Sequence, residues 1–225
     1  MPTLAKILDL RQLLAERLPQ VRSGFAPAAS LATLPTGVPV LDTQLGGGIP
    51  VGETTELVGA GLGSGTAQVV HRLLRQTALN GQFLALVDGV DSFDADAAEP
   101  SSLARLLWVR CQKASEAIQA TDLLLRDRNF PLVVLDLKLN PATQLQRISG
   151  SVWHRFNRLL EQHRTTLLVV TDRPLVGGTG VRVQVSAQLD VEALAHPPVE
   201  LLGRLQFTVL RALATGGEAQ GILTG

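Results

Sequence analysis

Short, almost wholly apolar runs alternate along this chain with longer amphipathic ones. Thr54–Val58 (TTELV), 83–89 (FLALVDG), 132–138 (LVVLDLK) and 165–172 (TTLLVVTD) are rich in branched side chains, and 103–110 (LARLLWVR) reads as a short helix running into a strand. Near-continuous apolar runs of this kind fit strands buried on both faces. Between them the spacing is helical. After Thr66, apolar residues fall at Val69, Val70, Leu73 and Leu74, and Asn80-Gly81 supplies a stop. Ala114 to Asp127 carries a stripe at Ala117, Ile118, Leu124 and Leu125, and Gln144 to His163 predicts one long helix. Alternating strands and helices predict an α/β fold: a mostly parallel twisted sheet with helices on both faces. Residues 173–185 (RPLVGGTGVRVQV) read as a Gly-rich loop, and AQLDVEAL with GRLQFTVLRAL as an antiparallel pair closing the C-terminal edge.

The ends of the chain have a different pattern. Residues 1–20 form an amphipathic helix with Leu4, Ile7, Leu8, Leu14 and Leu18 on or near one face, ended by Pro19. Residues 21–33 are an Ala/Pro/Ser-rich linker with one large apolar side chain, Phe25, and 34–225 are the core domain. The helix face either packs on its own domain or docks on another protein across the linker. Phe25 is likewise either tucked in or offered to a neighbour.

The segment joining Val58 to the next helix carries Gly59, Gly61, Gly63 and Gly65. A strand, a Gly-rich loop and a helix N-terminus make the geometry of a phosphate-binding loop, in which backbone N–H groups and the helix dipole converge on an anion. The full pattern needs a final glycine, then a lysine just before Ser or Thr. In Gly59-Ala-Gly-Leu-Gly-Ser-Gly-Thr66 the first glycine and Thr66 are in place, but Ser64 stands for the last glycine and Gly65 for the lysine. The nearby cations, His71, Arg72 and Arg75, lie one to two helical turns away and are not expected to reach the loop tip. Gly59–Thr66, Asp88, Asp136 and Thr171-Asp172 all fall at carboxyl ends of predicted strands, where ligands of such sheets bind.

Composition narrows the function. With 225 residues, 45% of them hydrophobic, and a formal net charge of zero, the chain can build a core but has no broad field for nucleic acid or an anionic membrane. Seventeen of the 20 basic residues are arginine; Lys6, Lys113 and Lys138 are the three lysines. One cysteine, Cys111, allows no intramolecular disulfide, and the four histidines have no metal-ligand spacing, so no metal site is expected. No run approaches the ~18–20 apolar residues of a membrane span. A cytoplasmic protein with no membrane partner is expected.

A longer pattern carries a resemblance. Leu34-Pro-Thr-Gly-Val-Pro-Val-Leu-Asp42, Leu45-Gly-Gly-Gly-Ile-Pro-Val-Gly52 and Thr54-Thr-Glu-Leu-Val-Gly59 closely resemble the run that leads into the phosphate loop of the RecA/RadA recombinase core, and the match continues to about residue 213. The compact length, the degenerate loop and Leu103-Ala-Arg-Leu-Leu-Trp-Val-Arg110 are most similar to the ImuA type, RecA-like accessory proteins of bacterial SOS mutagenesis cassettes.

The resemblance implies a role in translesion synthesis during the DNA-damage response. Its expected partners are a RecA-type recombinase and an ImuB-like polymerase homologue or an error-prone replicative polymerase. Departures from the family pattern imply that chemistry is lost. Gly65 replaces the lysine, Val90 falls where recombinases carry the glutamate that activates water, with Asp91 off register, and Thr171-Asp172 replaces the polar amide that senses the γ-phosphate. Asp136 keeps the Walker B place, where it would hold a Mg²⁺-bound water. A vestigial nucleotide site (Gly59, Gly61, Gly63, Ser64, Gly65, Thr66, Asp136) without ATP/Mg²⁺ turnover is expected, and no enzyme. By the same resemblance Arg173, Gly177, Gly178 and Arg182 lie in the loop that touches single-stranded DNA in recombinases. Without an aromatic for stacking, such contact is expected to be weak and salt-sensitive. Gly24-Phe-Ala-Pro-Ala28 resembles the Phe-x-x-Ala segment that links RadA-type subunits, which makes Phe25 and Ala28 candidate anchors for docking or self-association. The alternatives are a DNA-binding ATPase that borrows a cation from a neighbouring subunit, and a regulator of recombinase filaments.

Overall fold

The computed structural model describes residues 32–61, 63–161, 164–187 and 202–212. The N-terminal helix and its candidate docking residues Leu4, Ile7, Leu8, Phe25 and Ala28 lie outside them.

A small antiparallel pair opens the described chain, β1 (Thr33–Leu34) with β2 (Ile49–Pro50), flanking the short helix α1 (Pro39–Gln44). Asp42 ties this unit together, accepting from the Thr36 N–H at 2.8 Å and from the Thr36 hydroxyl at 2.7 Å.

Then come β3 (Thr54–Val58), α2 (Thr66–Leu79), β4 (Leu84–Asp88), α3 (Pro100–Leu103), β5 (Leu106–Arg110), α4 (Ala114–Asp127) and β6 (Leu132–Asp136). The chain continues with α5 (Ala142–Leu145), α6 (Gly150–Glu161), β7 (Thr166–Thr171), β8 (Val181–Ala187) and β9 (Leu205–Arg211). The seven longer strands form one sheet in the order β5-β4-β6-β7-β3-β8-β9, parallel throughout except for the antiparallel β8–β9 pair. The expected fold class holds.

Burial explains the apolar runs. All residues of β3, β4 and β7 are buried. Strand side chains alternate between faces. Ala85, Val87, Val133, Leu135, Leu167 and Val169 meet Ala117, Ile118 and Leu125 of α4 and Trp153, Phe156 and Leu160 of α6. Their neighbours Leu84, Leu86, Leu132, Val134 and Leu168 are buried as well, as are Val69, Val70, Leu73 and Leu74 of α2.

Two expectations are corrected. The long helix over Gln144–His163 is interrupted: α5 ends at Leu145 and α6 starts at Gly150, where the Ser149 hydroxyl accepts the Ser151 N–H at 3.3 Å. A serine at this place offers the backbone a helix start. The expected 173–185 loop is also shorter, because Val181–Ala187 is β8, paired in parallel with β3 and antiparallel with β9. The partner of β9 is therefore the VRVQVSA segment, one strand earlier than the sequence pattern suggested.

Candidate functional site

The carboxyl ends of β3, β4, β6 and β7 bring together Gly59–Thr66, Asp88, Asp136 and Thr171-Asp172. The loop after β3 has the backbone of a cradle, with positive φ at Gly61, Gly63 and Gly65 (73°, 70° and 93°). Gly59 must stay glycine, since a Cβ there would run into Ser64 Oγ and Thr66 Cγ2. At Gly65, the lysine position of the pattern, the left-handed φ of 93° disfavours any side chain, and a Cβ would strike Leu205 Cδ2 of β9.

The cation missing from the loop arrives from the turn after β6. Lys138, two residues beyond Asp136, donates from Nζ to Ser64 Oγ at 2.5 Å and to Thr66 Oγ1 at 2.9 Å. The Lys138 N–H also donates to Asp136 Oδ1 at 3.0 Å. Both loop hydroxyls are buried. Burial pushes the Asp136 carboxyl up to about 6 and repulsion from Asp88 adds to that, while the Lys138 N–H and ammonium pull the other way. Burial lowers the Lys138 pKa, opposed by the carboxylates of Asp136 and Asp172. His71, Arg72 and Arg75 do not serve the loop; they line a cleft of about 270 Å³ along α2, and Arg75 pairs there with Glu99 at 2.9 Å.

The other strand-end acids have structural partners. Asp88 accepts the Phe93 N–H at 2.8 Å and Trp108 Nε1 at 3.3 Å, and so folds the loop that follows β4. Asp91, the acid beside Val90, is held by Arg110 in a bidentate pair at 2.6 and 2.7 Å. Thr171 Oγ1 donates to Glu56 Oε1 at 3.2 Å, and Asp172 pairs with Arg173 at 2.8 Å.

Glu56 has no exposed surface and organises the far side of the site. The N–H groups of Leu175 and Val176 donate to its Oε1 at 2.6 and 3.1 Å, and Arg182 donates to its Oε2 and to the Val176 carbonyl. Arg182 thus lies within β8, not in the preceding loop, and ties the 172–180 loop to β3. Gly178 is held as well, its carbonyl accepting from Asn157 Nδ2 at 3.1 Å. Arg173, Gly177 and Gly178 are all exposed, Arg173 beside Asp172.

Two residues that organise the strand ends escaped the sequence pattern. Lys138 had one signal, as a lysine just past the Walker B place in a chain with three lysines. Glu56 had another, since an acid inside an otherwise apolar buried strand requires a partner.

No family model matches the chain. Its sequence is similar to a plasmid-borne RecA of Lactococcus lactis subsp. lactis, 31% identical over 120 residues, covering 51% of this chain and 35% of that protein. It is also similar to RecA of Gloeothece citriformis, 28% identical over 202 residues, covering 77% and 56%. The chain thus spans about a third to somewhat over half of these relatives' length. A crystal structure of the RadB recombinase superposes with a TM-score of 0.57 at 18% identity, over 70% of this chain and 85% of that one. The fold is RecA-like.

Proposed function

We propose that this chain is a RecA-like accessory protein that does not turn over nucleotide. On this reading it is of the ImuA type and acts in SOS-induced translesion synthesis through contacts with a RecA-type recombinase and an ImuB-like polymerase homologue or an error-prone replicative polymerase. The observation that carries the non-catalytic part is the state of the cradle: Lys138 holds the Ser64 and Thr66 hydroxyls, and Leu205 stands over Gly65. The water-activating place is Val90, and its acidic neighbour Asp91 is spent on Arg110. A general base contributes orders of magnitude in rate, and among the described residues the acids beside the loop are held by structural partners, Asp88 by Phe93 and Trp108 and Asp91 by Arg110.

A role through protein contacts draws support from the sheet edge. Among the described residues β5 pairs with β4 alone, and Leu107 on it is 39% exposed. An open strand edge offers backbone groups to a partner. The alternative, an ATPase with a cation borrowed from a neighbour, meets an obstacle in the ammonium already seated at Thr66.

The test pairs two measurements on the full chain. Phosphate release from Mg²⁺-ATP is expected to equal the buffer blank and to be unchanged by Asp136→Ala. Immobilised protein is expected to retain a purified RecA filament or the polymerase homologue. Turnover that depends on Asp136 would establish the ATPase; retention of neither partner would remove the accessory role.

A further inference from the structure

The fold implies a nucleotide with Mg²⁺ at this loop, and the residues present do not fit that group. In a phosphate-binding loop the Ser/Thr hydroxyl binds the metal, and the strand-end aspartate holds metal-bound water. Here that hydroxyl, Thr66 Oγ1, already receives Lys138 Nζ at 2.9 Å, and Ser64 Oγ receives it at 2.5 Å. Asp136 stands two residues before Lys138 and is joined to its N–H.

We propose that Lys138 is a built-in cation: its ammonium takes the metal's seat and pins Ser64 and Thr66, at the C-terminal end of the loop, to the end of β6. Residues 63–66 are then held without nucleotide or metal, and the Mg²⁺-nucleotide is refused.

Three features of the geometry support this. First, Ser64 and Thr66 are 4% and 3% exposed, so their hydroxyls need an internal partner, and the ammonium supplies it. Second, a divalent ion at Thr66 would have to displace an ammonium or sit against it with like charge, and Mg²⁺ demands close oxygen ligands at about 2.0–2.1 Å. Third, the Lys138 N–H is tied to Asp136 Oδ1 at 3.0 Å, so the backbone that carries the ammonium is fixed at the end of β6 facing the loop. Leu205 closes the other side of the loop at Gly65. In a loop emptied of its lysine, the energy that ligand binding would spend on ordering the backbone comes instead from a side chain 72 residues away.

This inference concerns the loop and does not depend on the accessory role, so failure of partner retention leaves it standing. The test is amide hydrogen exchange of peptides spanning 59–66 in the full chain, in chelator and then with Mg²⁺ and adenylyl imidodiphosphate. In wild type the loop is expected to be protected in chelator, with a change of less than about twofold on adding the ligand. Lys138→Met, which keeps the length of the stem, is expected to raise exchange in the loop by about tenfold or more while β6 and β7 stay protected. If Lys138→Met does not fold, Thr66→Val carries the test: loss of one acceptor is expected to raise loop exchange by at least about threefold. The proposal is overturned if the Mg²⁺-nucleotide adds about tenfold protection to wild type, or if the folded variants exchange like wild type.

Discussion

At Gly65 the identity of one residue and its backbone conformation lead to different expectations. By identity it is a lost lysine, which suggests that putting lysine back would restore a nucleotide site. By conformation it is a left-handed N-cap of α2 with φ 93° beneath Leu205. A non-glycine residue in that region costs about 1–2 kcal/mol, and the clash with Leu205 adds to it. Gly65→Lys is therefore expected to lower the melting temperature and to give no heat with Mg²⁺-ATP in titration calorimetry. Heat at micromolar concentration would mean that Leu205 yields and the cradle is still competent. The eight loop residues were legible in the sequence because turn chemistry is local. The side chain overhead was not, since Leu205 is 140 positions away.

Between elements, the tie from β3 to β8 matters most. Glu56 is fully buried, and Arg182 is its charged partner. Removing one member of a buried ion pair leaves an uncompensated charge and typically costs about 3–5 kcal/mol. Arg182→Ala is expected to lower unfolding stability by that order in urea titrations, with little change in weak single-stranded DNA binding measured by anisotropy. A large loss of DNA affinity with unchanged stability would instead establish Arg182 as a DNA contact. Strand and helix positions were readable from periodicity, because a buried strand and an amphipathic helix each impose a pattern of their own. The misread was β8: its glycine-rich lead-in and its alternation of Val with Arg, Gln and Ser looked like loop. Only β3 on one side and β9 on the other make VRVQVSA a strand.

For the molecule as a whole, the pH response of stability has two opposed contributors, His71 and Asp136. Burial lowers the His71 pKa from the ordinary 6.5, with Asp94 opposing, and the ring stacks on Phe93 at 4.9 Å. As pH falls, the unfolded chain takes the His71 proton first, so the His71 share of stability is lost from about neutral pH down through its lowered value. Folded Asp136, raised to about 6, instead takes its proton before the unfolded chain does and adds stability over the same fall. His71→Gln is expected to remove the His71 share, so that between about pH 7 and 5 its melting temperature falls less, or rises more, on acidification than that of wild type; an unchanged pH dependence would exclude a His71 contribution. The sequence by itself determined the class of this molecule: apolar runs that can only be buried, helices between them, and a phosphate-type loop without its lysine. Those are local properties of spacing and turn chemistry. The tertiary structure alone decided which charge fills the loop and which acids are spent on structure. Lys138 with Thr66, Arg182 with Glu56 and Leu205 over Gly65 are meetings between residues far apart in the chain, and parallel strand order, not sequence proximity, sets such distances.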